Sequence, residues 1–152
     1  MRTGIGIDSH RLAPGRPLIL GGVTVPGDVG LAGHSDADVL AHAIADALLG
    51  AAGLGDIGQH FPDTDDAWRD ADSMELLRTV VARLSEEGYG IEHVDATVML
   101  ERPKLAPHRE AIEASLTAVL GSVNVKATTG EGMGFVGRRE GVAAMAVATL
   151  VV

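Results

Sequence analysis

Residues 2–11 alternate so that Gly4, Gly6, Asp8 and His10 share one face of a strand while Ile5 and Ile7 share the other. Side chains two apart on a strand point the same way, so Asp8 and His10 project together. The glycines clear space on their face, and the isoleucines are expected to turn toward a core. With His42 in the first helical segment, Asp8 and His10 make a set of metal-type ligands. Three protein ligands leave one coordination position open for something that reacts. Two histidines and a carboxylate without thiolate suit zinc best, and manganese or iron is acceptable to the same donors.

The rest of the chain reads as an α+β fold. Leu18-Ile19-Leu20 and Val23-Thr24-Val25 form a short hairpin whose Gly21-Gly22 turn requires positive φ. Ser35-Asp36-Ala37-Asp38 carries a capping-box pattern and opens a helix to about Ala52, with Leu40, Ile44 and Leu48 as its core stripe. Asp46 follows His42 by one turn, placed either to hydrogen-bond its second ring nitrogen or to stand exposed. Residues 53–70 hold Gly, Pro and five Asp without periodicity, the mark of a long loop. A second helix begins near Asp72-Ser73-Met74-Glu75, turns Met74, Leu77, Val81 and Leu84 inward, and stops at Gly88. Residues 91–100 read as a strand, and 107–120 as a helix burying Ile112, Leu116 and Leu120. Residues 123–128 alternate as a strand, and 142–152 are apolar enough for a strand covered on both faces. The expectation is a single domain, 1–152, with a mixed four-stranded sheet packed against helices plus a small N-terminal hairpin.

Composition narrows the function. The 152 residues, 46% of them hydrophobic, suffice for one core and not two. A formal net charge of −9 argues against a nucleic-acid groove or an anionic membrane surface. Absence of cysteine removes disulfides and thiolate metal sites. With neither a signal-peptide pattern nor an apolar run near the ~20 residues of a spanning helix, a cytoplasmic protein is expected.

Two further segments carry chemistry. Gly33-His34-Ser35-Asp36 precedes a helix, where outward N–H groups favour an anion, although Ser35 also serves simply as a cap. Thr128-Thr129-Gly130-Glu131-Gly132 follows a strand and offers hydroxyls, flexible backbone and a carboxylate suited to phosphate oxygens and a hard cation. Its spacing is that of neither a P-loop nor a Rossmann turn. Lys104, Asp56 and the Asp63-Thr64-Asp65 turn are, by themselves, ordinary polar loop residues.

These stretches together resemble the 2-C-methyl-D-erythritol 2,4-cyclodiphosphate synthase family. The matching residues are Gly6-Ile7-Asp8-Ser9-His10, residues 32–39 (AGHSDADV), His42, residues 46–50 (DALLG), Leu54-Gly55-Asp56-Ile57-Gly58 and Phe61-Pro62-Asp63-Thr64-Asp65. Pro103-Lys104, residues 124–129 (NVKATT), Glu131, Gly134-Phe135 and Gly137-Arg138 complete the set in the family's order. The resemblance covers essentially the whole chain.

It implies intramolecular phosphoryl transfer in 4-diphosphocytidyl-2-C-methyl-D-erythritol 2-phosphate, giving the cyclic diphosphate and CMP within non-mevalonate isoprenoid synthesis. By resemblance, Asp8, His10 and His42 hold zinc, and Glu131 carries Mg2+ or Mn2+. His34 and Thr129 stabilise the developing charge, with Ser35, Thr128 and Gly130 about the phosphates. Asp56, Gly58, Phe61, Pro62, Asp63, Thr64 and Asp65 meet the methylerythritol. Leu100, Glu101, Arg102, Pro103, Lys104, Leu105 and Ala106 cradle the cytidine, while Phe135 and Arg138 line the far side. It further implies a homotrimer with active sites between subunits, and an isoprenoid diphosphate in a central cavity near Arg138 and Glu140. Gly130 departs from the family's usual Thr and is expected to loosen the phosphate loop; Met133 for Leu is expected to be silent. Two rivals remain: a metal-dependent phosphohydrolase, and a non-catalytic nucleotide-binding trimer, against which the open Asp-x-His site argues.

Overall fold

The computed structural model describes residues Met1–Val152. In chain order the strands are β1 (Arg2–Pro14), β2 (Leu18–Leu20), β3 (Val23–Val25), β4 (Val29–Leu31), β5 (Gly90–Met99), β6 (Val123–Thr128) and β7 (Gly141–Val151). The helices are α1 (Val39–Ala52), α2 (Ile57–His60), α3 (Ser73–Glu86), α4 (Arg109–Leu120) and α5 (Gly134–Gly137). The main sheet runs β4-β1-β7-β5-β6, with β2 and β3 forming a separate hairpin. Only β5 and β6 pair in parallel.

The sheet therefore has five strands rather than the expected four. The fifth, β4, pairs Leu31 with Leu12 and Val29 with Pro14, on an extension of β1 beyond residue 11. Three residues around a glycine are too few to display alternation in sequence.

The orientation of β1 is the reverse of the expectation for its isoleucines. A Cβ added to Gly6 would stand 1.9 Å from the Ala43 carbonyl oxygen, and one added to Gly4 would stand 2.1 Å from that of Ala47. Helix α1 thus crosses β1 backbone on backbone, and only glycine permits that approach. Ile5 and Ile7 point away, each 59% exposed. In register with them on β7 stand Val147 and Met145, also exposed, so β7 is covered on one face only. Its other face buries Ala144, Ala146, Ala148 and Leu150.

Between that face and the helices lies the core. Leu40, Ile44 and Leu48 of α1 pack in one cluster with Leu77 and Leu84 of α3, and Ile112 and Leu116 of α4. Each such side chain contributes about 1.5–3 kcal/mol by leaving water. On α3 the buried position is Val80, with Val81 only half-buried. Gly21 and Gly22 adopt φ of 58° and 79°, as the hairpin requires.

Helix α1 starts after Asp38, not at Ser35, because Ala37 holds φ 58° and breaks the helical run. Asp38 is fully buried and accepts N–H bonds from Ala41 (3.0 Å), Gly21 (2.9 Å) and Gly22 (2.8 Å). One carboxylate thus caps α1 and ties the hairpin to it. Burial pushes that carboxyl up to about 6, against the pull of the three N–H groups. No helix is long and apolar enough to cross a membrane.

Candidate metal centre and its pocket

Asp8 and His10 leave β1 on the glycine face, and α1 brings His42 over them. Asp8 Oδ2 lies 2.8 Å from His10 Nε2 and 3.2 Å from His42 Nδ1, and the two nitrogens are 3.4 Å apart. One ligand atom from each residue falls within 4.8 Å of the other two. A carboxylate and two imidazoles at that separation fit a divalent cation, and the donor set leaves one side open to a pocket.

The geometry sets the charges. Burial alone would raise the Asp8 carboxyl, but hydrogen bonds from His10 and His42 outweigh it and bring it down to about 2. Burial opposes a charge on His10, yet the Asp8 carboxylate prevails and raises its pKa. The far nitrogen of His10, Nδ1, donates to the Ala32 carbonyl at 3.1 Å. That bond fixes the proton on Nδ1 and leaves Nε2 facing the centre.

Asp46 does not reach His42. Its carboxylate instead accepts the Ile57 N–H at 2.8 Å, holding the start of α2. The far nitrogen of His42 lies 2.8 Å from the Ser73 hydroxyl and 3.3 Å from that of Ser35. Ser35, buried, also accepts the Ala37 N–H at 3.2 Å, so capping and contact with His42 both engage it.

A pocket of about 340 Å³ opens above the three ligands. His34, Ser35, Gly58, Phe61, Pro62 and Asp63 line it, joined by Ile57 and by Trp68 and Leu76, which the sequence did not mark. The chain's single Trp in a loop was the available signal for Trp68. The long loop folds into α2, capped by Asp56, and a turn at Asp66–Trp68, capped by Asp65. His34 Nε2 donates to the Asp65 carbonyl at 3.2 Å, while Asp56 and Thr64 do not line the pocket.

The other expected residues lie elsewhere. Leu100, Glu101, Pro103, Lys104, Leu105, Ala106, Thr128 and Thr129 line a separate pocket of about 210 Å³, without Arg102. Glu101 is engaged by the loop itself, accepting N–H bonds from Gly130 (2.7 Å) and Gly132 (3.0 Å). Gly130 is thus held firmly rather than loosely. Glu131 is exposed with φ 52°, and its N–H donates to the Thr129 hydroxyl at 3.2 Å. Phe135 borders a third pocket beside His10 and Glu140. Arg138 pairs with Glu140 at 3.5 Å, and Arg11 pairs with the same carboxylate at 3.4 Å. A single chain therefore does not bring His34 and Thr129 into one pocket.

A mixed α+β sheet carrying an open-sided Asp-His-His centre, with a second small pocket on its β5–β6 side, defines the class. The model of the YgbB family matches residues 1–151, and the chain belongs to that family. It is 64% identical to a 2-C-methyl-D-erythritol 2,4-cyclodiphosphate synthase of Salinibacter ruber, over 99% of this chain and 98% of that protein. The bifunctional IspDF of Campylobacter jejuni superposes with a TM-score of 0.94 at 44% identity, over 98% of this chain and 42% of that one. A CDP-bound 2C-methyl-D-erythritol-2,4-cyclodiphosphate synthase superposes at 0.91 with 42% identity, over 99% of this chain and 100% of that one.

Proposed function

We propose that this chain, as one domain over 1–152, converts 4-diphosphocytidyl-2-C-methyl-D-erythritol 2-phosphate to 2-C-methyl-D-erythritol 2,4-cyclodiphosphate and CMP. The observation that carries this is the convergence of Asp8, His10 and His42 at one point beneath a pocket. The family membership and the names of its relatives supply the reaction. An oxygen of the 2-phosphate attacks the β-phosphorus. The bond from that phosphorus to the α–β bridging oxygen breaks, and its electron pair leaves with CMP. Nucleophile and electrophile sit in one molecule, so positioning and charge neutralisation suffice and no side-chain nucleophile is needed.

Asp8, His10 and His42 hold zinc in this reading. When bound, the zinc supplies Lewis acidity toward a phosphate oxygen. His34, at the pocket rim, and Thr129 stabilise the charge that develops. Because the Thr129 hydroxyl already accepts the Glu131 N–H, its own proton is free for a phosphate oxygen. The exposed Glu131 carboxylate holds Mg2+ or Mn2+. The 100–106 segment, most of which lines the pocket beside β6, takes the cytidine in this reading, in keeping with a relative that binds CDP.

A homotrimer with sites shared between neighbours would join the two pockets that one chain keeps apart. The exposed strip of Ile5, Ile7, Met145 and Val147 offers the apolar face such assembly needs. The Arg11–Glu140–Arg138 cluster would then be the place for an isoprenoid diphosphate in a central cavity. Titration of such a ligand against an Arg138→Ala variant tests that role.

Phosphorus NMR with the diphosphocytidyl substrate and Mg2+ tests the main reading. Cyclic diphosphate and stoichiometric CMP, lost on removing zinc and regained on its return, are expected. Open-chain phosphates would indicate a hydrolase instead, and no turnover a binding protein. Mixed assemblies of Glu131→Ala and His42→Ala chains are expected to recover activity that neither has alone.

A further inference from the structure

We propose that Ser73 and Asp36 are positioning residues that hold the His42 ring through its Nε2, so that Nδ1 is aimed at the metal when the metal displaces its proton. The proposal rests on Asp8, His10 and His42 forming a metal centre. His42 faces two ways. Its Nδ1 meets Asp8 and His10, and its Nε2 meets the Ser73 hydroxyl at 2.8 Å. Ser73 is 1% exposed, so no water competes for its hydroxyl. The same hydroxyl contacts Asp36 Oδ1, and the Ser73 N–H donates to Asp36 Oδ2 at 3.0 Å.

Proton counting fixes the direction of this chain of bonds. A carboxylate only accepts, so the single Ser73 proton must go to Asp36. The Ser73 oxygen then has only lone pairs to offer His42, and it accepts from Nε2–H once a metal holds Nδ1; without the metal, Asp8 Oδ2 at 3.2 Å competes for that proton at Nδ1. The opposite arrangement would set the Asp36 carboxylate against a bare hydroxyl oxygen. Ser35, at 3.3 Å, accepts the Ala37 N–H and keeps its own proton, so its hydroxyl adapts to either state of Nε2 and holds the ring less strictly than Ser73 does.

Asp36 lies in the segment before α1, and Ser73 is the first residue of α3. Two backbone bonds hold these segments together: Asp36 N–H to Ala71 O at 3.1 Å, and Asp70 N–H to His34 O at 2.8 Å. The metal ligand is therefore oriented by the junction that also closes the long pocket loop. This coupling makes metal affinity sensitive to how α3 docks.

The test uses zinc affinity by chelator competition, with ¹⁵N-histidine NMR of the zinc-loaded chain reporting exchange of the His42 Nε2–H. Wild type is expected to show a slowly exchanging Nε2–H. Ser73→Ala is expected to expose that proton to exchange and to weaken zinc binding about 10–100-fold. Asp36→Asn, whose amide can donate to the Ser73 oxygen and turn its proton toward His42, is expected to weaken zinc binding too. Ser35→Ala is expected to have the smaller effect. Unchanged exchange and affinity in folded Ser73→Ala would overturn the proposal. Should Ser73→Ala fail to fold, Asp36→Asn decides, and unchanged zinc affinity there overturns it too. Failure of wild type to bind zinc would sink the metal reading, a result distinct from a loss confined to the variants.

Discussion

Glu101, just past the end of β5, receives the N–H of Gly130 at 2.7 Å across the parallel pair β5–β6. Its second oxygen receives the Gly132 N–H, so one carboxylate grips both ends of the Glu131 turn. Glu101→Gln sets an amide against one of these donors. The expected cost is about 1–3 kcal/mol of local stability. Hydrogen exchange at Gly130 and Gly132 checks this, and activity should fall with it.

Restoring a side chain at Gly130 is expected to harm the loop. A Cβ there would lie 2.7 Å from the Gly137 nitrogen and 2.8 Å from the Met133 carbonyl oxygen. Gly130→Thr should lower the melting temperature by overpacking worth about 1–3 kcal/mol, without raising turnover. A faster, equally stable variant would contradict this placement.

Gly6→Ala should be among the costliest single changes. Its new methyl meets the Ala43 carbonyl at 1.9 Å and must push α1, with His42, off β1. A loss of about 3 kcal/mol is expected by chemical denaturation, together with weakened metal binding. Ile5→Ala, on the exposed face of the same strand, should leave monomer stability nearly unchanged.

The Asp8–His10 pair gives the metal-free protein a stability window in pH. Asp8 falls to about 2, so its contribution exists above the ordinary 3.8 and vanishes as pH drops through 2. His10 is raised, so the same attraction is complete below 6.5 and fades as pH rises through its folded pKa. Melting curves should therefore show the largest gap between wild type and Asp8→Asn at about pH 4–6.5. Zinc loading should abolish the upper loss, because the metal takes the proton's place on His10.

Asp46→Ala separates the metal centre from the pocket wall. Because Asp46 holds the Ile57 N–H and not His42, zinc affinity should stay within about twofold of wild type. The start of α2 should fray, with a cost of about 1 kcal/mol and a raised KM. A tenfold loss of zinc affinity with an intact α2 would overturn that assignment.

Local rules made much of this protein legible. The alternation through Asp8 and His10, the spacing of Leu40, Ile44 and Leu48, the Gly21-Gly22 turn, and the burial of Ile112, Leu116 and Leu120 all follow from neighbours within a few residues. The ligand trio was equally readable, since its chemistry resides in residue type and its direction in strand periodicity. What the sequence could not specify was which face of β1 meets a helix. A Gly-rich face looks empty until a second backbone fills it, and only the folded chain placed α1 there. The same holds for Ser73 and Asp36 behind His42, and for Glu101 at Gly130. Each joins residues about 30 apart or more in sequence. Such hydrogen bonds depend on where whole elements pack, and no local pattern encodes that.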